Sequence, residues 1–243
     1  MEHESMMQEI ILAWEQSRGI RLSPGQAKSM IDYADELFLR SKQFNLTGFK
    51  TRKEILENLV FGSIDPLLGM NVPRGTLFAD IGTGSGIPGI PLGIYYEGLR
   101  GILMDSNEKK MGFVGSVIEM LQLENLSVMP GRIEDRAHEG SLRERFNLVL
   151  SRALGNTYLV VELAAPLLAM GGYLYVYANE TQRDIPALVV RHAGELGLEI
   201  AGEEGRISLG IDTAGFLFIK KGDTDAKYPR RFAVIKREAQ KCM

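Results

Sequence analysis

The stretch "LFADIGTGSGIPGIP", residues 77–91, decides how this chain is read. An apolar run and Asp80 lead directly into Gly82, Gly84, Gly86 and Gly89. "TLFADI" predicts a strand, and the residues from about 87 to 97 predict a helix. A tight turn between the two needs one glycine, for a positive φ or a close contact. Four within eight residues imply a backbone left bare for a ligand. No Lys-Ser/Thr follows, which excludes a P-loop. Gly84, Gly86 and Gly89 do spell GxGxxG, so a dinucleotide site stays open at this point.

Outward from the turn, strands and helices alternate. "GILMDS" reads as the next strand, followed by a helix from Asn107 to Leu121. "LSVMP" and "FNLVLSRA" are strands three and four. A helix over about 157–169 precedes "GGYLYVYA", a fifth strand. "ISLG" and "GFLFIKK" read as antiparallel edge strands. Such alternation predicts a doubly wound, mostly parallel α/β sheet, with ligands at the carboxyl ends of its strands. Before residue 70 the pattern is helical. One helix covers about 5–18, and Ser23 and Pro24 cap and start a second. A third covers about 52–68. The chain therefore divides into an N-terminal helical extension, residues 1–70, and the domain of the glycine turn, 71–243, which ends in a basic tail.

Composition narrows the function classes. The 243 residues carry 28 Lys and Arg against 31 Asp and Glu, a net charge of −3, so the chain is not uniformly basic. Its single cysteine, Cys242, excludes an internal disulfide and any CxxC zinc site; no metal is expected. No apolar stretch approaches a membrane span of roughly 20 residues. The N-terminus lacks the order of a signal peptide, so the expected location is the cytoplasm.

Three acids stand at or just after strand ends. Asp80 can accept from an amine, Asp105 can take both hydroxyls of a ribose, and Glu134 in "GRIEDRA" follows the third strand, where an adenine would lie. Amine, ribose and adenine without a pyrophosphate suit S-adenosylmethionine better than a dinucleotide.

"FNLTGF", "DIGTGSGIPGIPL", "MDSNEKKMGFV", "LENLSVMPGRIED" and "VLSRAL" together resemble the bacterial glucose-inhibited division protein B family, from about residue 20 to 180 and again in "KYPRRF". The resemblance implies a class I S-adenosylmethionine-dependent methyltransferase fold behind an N-terminal helical extension. It implies methylation of guanine N7 in 16S ribosomal RNA, with 16S rRNA or a 30S particle as partner, no membrane, and a monomer. It places cofactor contacts at Gly82, Ile87, Ile133, Glu134 and Arg152, with Asp105 on the ribose. Gly84, Gly86 and Asp80 join them from the turn itself. Two alternatives remain open: a diverged methyltransferase on another RNA or a small molecule, and a cofactor-binding ribosome-assembly module with little turnover.

N7 of guanine has an in-plane lone pair and no proton, so its methylation needs alignment and no general base. Arg152, after strand four, is the candidate catalytic residue, beside the expected methyl position. Candidate RNA contacts are Asn45 and Thr47 in "FNLTGF", which otherwise cap a helix, and Arg230 and Arg231 in the tail. Basic residues cluster around the first pair (Arg40, Lys42, Lys50, Arg52, Lys53) and along the tail from residue 220 to 241. His3, His138 and His192 are expected at the surface. In three places the chain departs from the family pattern: Leu59 and Gly62 stand where a His and an Asp are usual, and Ala178 where a Lys is usual.

Overall fold

The computed structural model describes residues 2–70, 72–178, 184–201 and 215–240. It opens with α1 (Glu2–Arg18) and α2 (Pro24–Phe44). Ser23 fixes the start of α2. Its hydroxyl accepts from the Gln26 amide, the Gln26 side chain accepts in return from the Ser23 amide, and Pro24 brings a helical φ without an N–H to satisfy. Asn45, in the left-handed conformation at φ 51, ends the helix. A second capping box, Thr51 with Glu54, starts one continuous helical run. That run is α3 (Arg52–Glu54), a π-helix (Ile55–Phe61), α4 (Gly62–Ile64) and a 3-10 turn (Asp65–Leu67). The third helix expected from the sequence is therefore present but changes its winding along its length.

The rest alternates as its apolar runs dictate. In order come β1 (Leu77–Ile81), α5 (Gly89–Tyr95), β2 (Arg100–Asp105), α6 (Glu108–Met120), β3 (Leu126–Pro130), α7 (Ile133–Arg136) and β4 (Phe146–Arg152). There follow α8 (Thr157–Ala164), β5 (Leu168–Tyr177), α9 (Ala187–Glu195), β6 (Leu198–Ile200), β7 (Gly215–Lys220) and α10 (Phe232–Ala239). The described strands form one sheet in the order β3-β2-β1-β4-β5-β7-β6. β1 to β5 are parallel, and β7 is antiparallel to both its neighbours. This is the doubly wound α/β fold expected. The order reverses between β1 and β4, and there the carboxyl ends open a crevice. Two details differ from expectation. "GFLFIKK" is antiparallel but lies inside the sheet, because the short β6 covers its outer side. "ISLG" lies outside the described residues.

Each face of the sheet has its own core. On one side Leu148, Leu150 and Tyr175 pack with α5, α6 and the N-terminal helices. On the other, Val149, Leu174 and Val176 pack with α8, α9 and α10. Successive strand residues point to opposite faces. Phe146 and Leu148 nevertheless serve different cores, because the β4–β5 register shifts between them. The helical extension shares the first core. Trp14 stacks on Phe61 at 4.2 Å, and its indole N–H donates to Asp65 at 2.8 Å, where Arg18 also pairs at 3.0 Å. Among the described residues no helix is long and apolar enough to cross a membrane.

Candidate functional site

The glycine turn runs from the end of β1 to the start of α5. The amides of Gly82 and Thr83 both donate to the carbonyl of Met104, which binds the turn to β2. Gly82, Gly84 and Gly86 all have positive φ, at 73°, 58° and 97°. Their reasons differ. A Cβ on Gly82 would stand 2.5 Å from Leu154, so that glycine is required by packing as well as by φ. A Cβ on Gly84 would meet nothing closer than 3.9 Å, where the Gly82 carbonyl and the Lys110 ammonium lie. Gly84 is therefore the bare point of the turn, with room for a ligand against its backbone.

Asp105, at the end of β2, faces that point. One carboxylate oxygen accepts from the Gly84 amide at 3.0 Å, and the other from the Asn107 amide at 2.8 Å. The carboxylate is thus held by backbone, half-buried, with lone pairs left for a pair of hydroxyls. Lys110, in the first turn of α6 after the Asn107 cap, hangs over the same glycine. Sequence reading gave Lys110 no role; "NEKK" just past Asp105 was the available signal.

Asp80 lies deeper than its place at a strand end implied. It is fully buried beneath the turn. Its Oδ2 accepts from the Thr83 hydroxyl at 2.6 Å and from the Gly89 amide at 2.8 Å, at the N-terminus of α5. Among the described residues its Oδ1 has no hydrogen-bond partner. Burial pushes the carboxyl up to about 7; the bonds from Thr83 and Gly89 pull against this, and the charge of Asp105 adds to it. A buried carboxylate oxygen with a spare acceptor suits a cation arriving with a ligand.

After β3, α7 carries Ile133, buried in the second core, and Glu134, half-buried. Ile87 is buried in the turn, its amide bonded to the Thr83 carbonyl. Above the turn, Tyr33 of α2 is fully buried and donates to the Ser85 carbonyl at 2.9 Å, so the helical extension holds the glycine loop from outside. Tyr33 was not singled out in the sequence, since one tyrosine on an amphipathic helix gives no sign of a contact 52 residues away.

Arg152 ends β4. It donates to the Asn58 carbonyl at 2.8 Å and to the Ser63 hydroxyl at 3.4 Å, and its guanidinium lies 5.6 Å from the Tyr177 ring centre. Burial lowers its pKa from the ordinary value. Among the described residues no carboxylate pairs with it. Gly62 accounts for the gap: a Cβ there would be 3.7 Å from Nη1. Next to Arg152, Ala153 takes a left-handed φ of 58°, which sends Leu154 back onto Gly82. Ser151 is buried and donates to the Ile81 carbonyl at 3.2 Å.

The expected RNA contacts fare differently. Asn45 is exposed and serves as the C-cap of α2. Thr47 accepts from the Phe49 amide at 3.2 Å in a local turn. Arg231 is exposed. Arg230 points inward: its backbone amide, Nε and Nη2 all bond Glu162, and Nη2 also reaches Glu238 at 2.9 Å. Its backbone amide, Nε and Nη2 are thus engaged by carboxylates, which gives Arg230 a structural role that the sequence did not show. The surface expectation for His192 is also corrected. Its side chain is 4% exposed, and Nε2 lies 2.9 Å from Glu162. Leu59 and Ala178 are partly buried against the two cores. Among the described residues no group of three or more His, Cys, Asp or Glu could hold a metal.

Comparison with known proteins shows the fold and the family. The fold is shared with a SAM-dependent methyltransferase from Aquifex aeolicus at a TM-score of 0.51 and 13% identity, over 68% of this chain and 92% of that one. Among curated proteins, the ribosomal RNA small subunit methyltransferase G of Desulfitobacterium hafniense is 33% identical over 238 residues, 95% of each chain. That of Lachnoclostridium phytofermentans is 36% identical over 163 residues, 67% of each. These relatives favour an enzyme over an assembly module. The family model for rRNA small subunit methyltransferase G matches residues 26–187, and the chain belongs to that family.

Proposed function

We propose that this methyltransferase transfers a methyl group from S-adenosylmethionine to N7 of a guanine in 16S ribosomal RNA, free or within a 30S particle, acting as a monomer. When bound, the cofactor would supply an electrophilic methyl group on a sulfonium, which the lone pair of N7 could accept without loss of a proton. The residues present fit such a ligand. Asp105 would take the ribose hydroxyls, the bare backbone at Gly84 would let the cofactor lie close, and Asp80, buried beneath the turn with Oδ1 unpartnered, would supply negative charge toward the ammonium. Ile133 and Glu134 meet the adenine, Gly82, Gly86 and Ile87 shape the turn around the methionine part, and Arg152 orients the guanine and the methyl group.

The observation that carries the acceptor atom is the end of β4. Its side chains there are Ser151, turned onto a backbone carbonyl, and Arg152, a cation. Neither is a proton acceptor poised for a base. N7 attack needs none, whereas an N–H or O–H acceptor would have to lose a proton. Alignment in a partly dehydrated crevice is then the main contribution of the protein.

The test is to map 7-methylguanine in 16S rRNA from cells with and without the protein, beside calorimetry with S-adenosylmethionine and NAD. The expected result is one guanine that loses its mark with the protein, and cofactor binding without NAD binding. A methyl group on another atom, or binding of NAD alone, would overturn the reading.

A further inference from the structure

The basic C-terminal segment expected from the sequence contains a docked helix, α10. One face of α10 is pinned: Ile235 is fully buried and Ala239 nearly so. Around it a clasp closes on α8. Glu162 receives three bonds from Arg230, at 2.9, 2.9 and 2.6 Å. Tyr158 donates to Glu238 at 2.9 Å. Asn156 works at both ends, its Oδ1 capping α8 through the Leu159 amide and its Nδ2 donating to the Ala239 carbonyl at 2.7 Å. Upstream, Arg143 bonds the carbonyls of Tyr228 and Thr224.

Away from the buried stripe α10 carries Lys236 and Arg237, and Arg231 stands at its N-cap, all three exposed. Among the described residues none of the three forms an ion pair. The other basic cluster contrasts with this: Arg40 pairs with Glu36, Arg52 with Asp35 and Lys53 with Glu57. Among the described residues, that cluster keeps Lys42 and Lys50 without an ion pair, whereas none of the three cations of α10 and its N-cap has one. The position of α10 adds to this. Asn156 lies four residues past Arg152, and Leu154 between them packs on Gly82. The last turn of α10 thus abuts the carboxyl end of β4, the edge where a target base must enter.

We propose that the exposed face of α10 is a docking surface for RNA phosphates, with Arg231, Lys236 and Arg237 as its contacts and the Glu162 clasp holding it beside the methyl-transfer edge. This rests on the reading of the chain as an rRNA methyltransferase. Phosphate contact supplies affinity and register without sequence information, and it releases counterions. A helix fixed by a buried carboxylate gives that register a rigid origin. A free tail would have to be ordered at each encounter.

The experiment uses the full-length chain and 30S subunits lacking the mark. The variant Arg231→Ala/Lys236→Ala/Arg237→Ala is compared with wild type and with Arg231→Lys/Arg237→Lys, which keeps the charge. Each lost phosphate contact reduces the log–log salt slope of RNA binding by about 0.7–0.9, so the triple variant should lose about 2 in slope. Its S-adenosylmethionine affinity and unfolding midpoint should be unchanged, and the lysine variant should keep the wild-type slope. An unchanged slope in the triple variant overturns the proposal. So does a loss confined to Arg40→Ala/Lys53→Ala, which would move the RNA to the N-terminal cluster. If wild type itself neither binds the subunits in a salt-dependent way nor methylates them, the parent reading fails and not merely the assignment to α10.

Discussion

Asp80 and Glu162 are both fully buried carboxylates, yet their surroundings drive them in opposite directions. Burial raises both. At Asp80 the only compensation comes from a hydroxyl and an amide, with Asp105 nearby as a like charge, and the group rises to about 7. At Glu162, bonds from Arg230 and His192 outweigh burial and hold the group down at about 2. The difference lies in the cation. Glu162 has an arginine of its own chain and is closed to anything further. Asp80 has one oxygen unpartnered and gains most from a positive charge that a ligand brings. One carboxylate is closed by an ion pair within the fold, and the other is left with an uncompensated oxygen.

The largest effect should come from breaking the closed side. Glu162→Ala leaves Arg230 without its buried acid and should cost about 3–5 kcal/mol. At roughly 2–4 °C per kcal/mol for a chain of this size, the thermal midpoint should fall by about 10 °C. A midpoint within a degree of wild type would mean that the clasp contributes nothing to the fold.

At Asp80 the sign reverses. A folded pKa of about 7, above the ordinary 3.8, means that its contribution to stability is complete below about 3.8 and lost as pH rises through about 7. Asp80→Asn keeps a neutral acceptor for Gly89, so it should raise stability at pH 8, by at most ~4 kcal/mol for a shift of about three units. It should also remove a pH dependence of cofactor binding. In wild type, S-adenosylmethionine should bind more tightly between pH 5.5 and 7.5 as Asp80 ionises; in the variant binding should be weaker and flat. Calorimetry across that range decides, and an equally steep profile in both would remove Asp80 from the cofactor site. Glu162 behaves in the opposite way: its contribution is full above about 4.5 and lost as pH falls toward about 2. Urea unfolding at pH 5 and pH 3 should show that loss in wild type and little of it in Glu162→Ala.

Smaller effects sharpen the picture. Asp105→Ala should weaken cofactor binding by about 1–3 kcal/mol, because two hydroxyls lose a charged acceptor, while the unfolding curve stays in place. Gly62→Asp offers Arg152 the carboxylate it lacks. The backbone at Gly62 has φ −62, so a side chain brings no strain, and the new pair should add about 0.5–1.5 kcal/mol of stability. A loss of stability there would show that no carboxylate fits between the π-helix and Arg152.

Much of this molecule was legible in the sequence. Short apolar runs separated by helical periodicity gave the doubly wound sheet, and the bare glycines before Asp105 marked the crevice, because strand period, helix period and glycine φ are local properties. Ser23 with Gln26 announced α2 for the same reason. What stayed hidden is what distant residues decide. His192 looked like a surface residue and Arg230 like an RNA contact. Their burial depends on Glu162, an acid in the otherwise apolar helix "YLVVELAAPLL" that lies 30 residues from one and 68 from the other. Arg152 was identifiable as a residue of the crevice, but its partners, Ser63 on α4 and Asn58 on the π-helix, are 89 and 94 residues away. The sequence alone determined which elements form and where their carboxyl ends open. Only the tertiary structure decided which charges are paired, because ion pairing and desolvation act through space and carry no periodic trace along the chain.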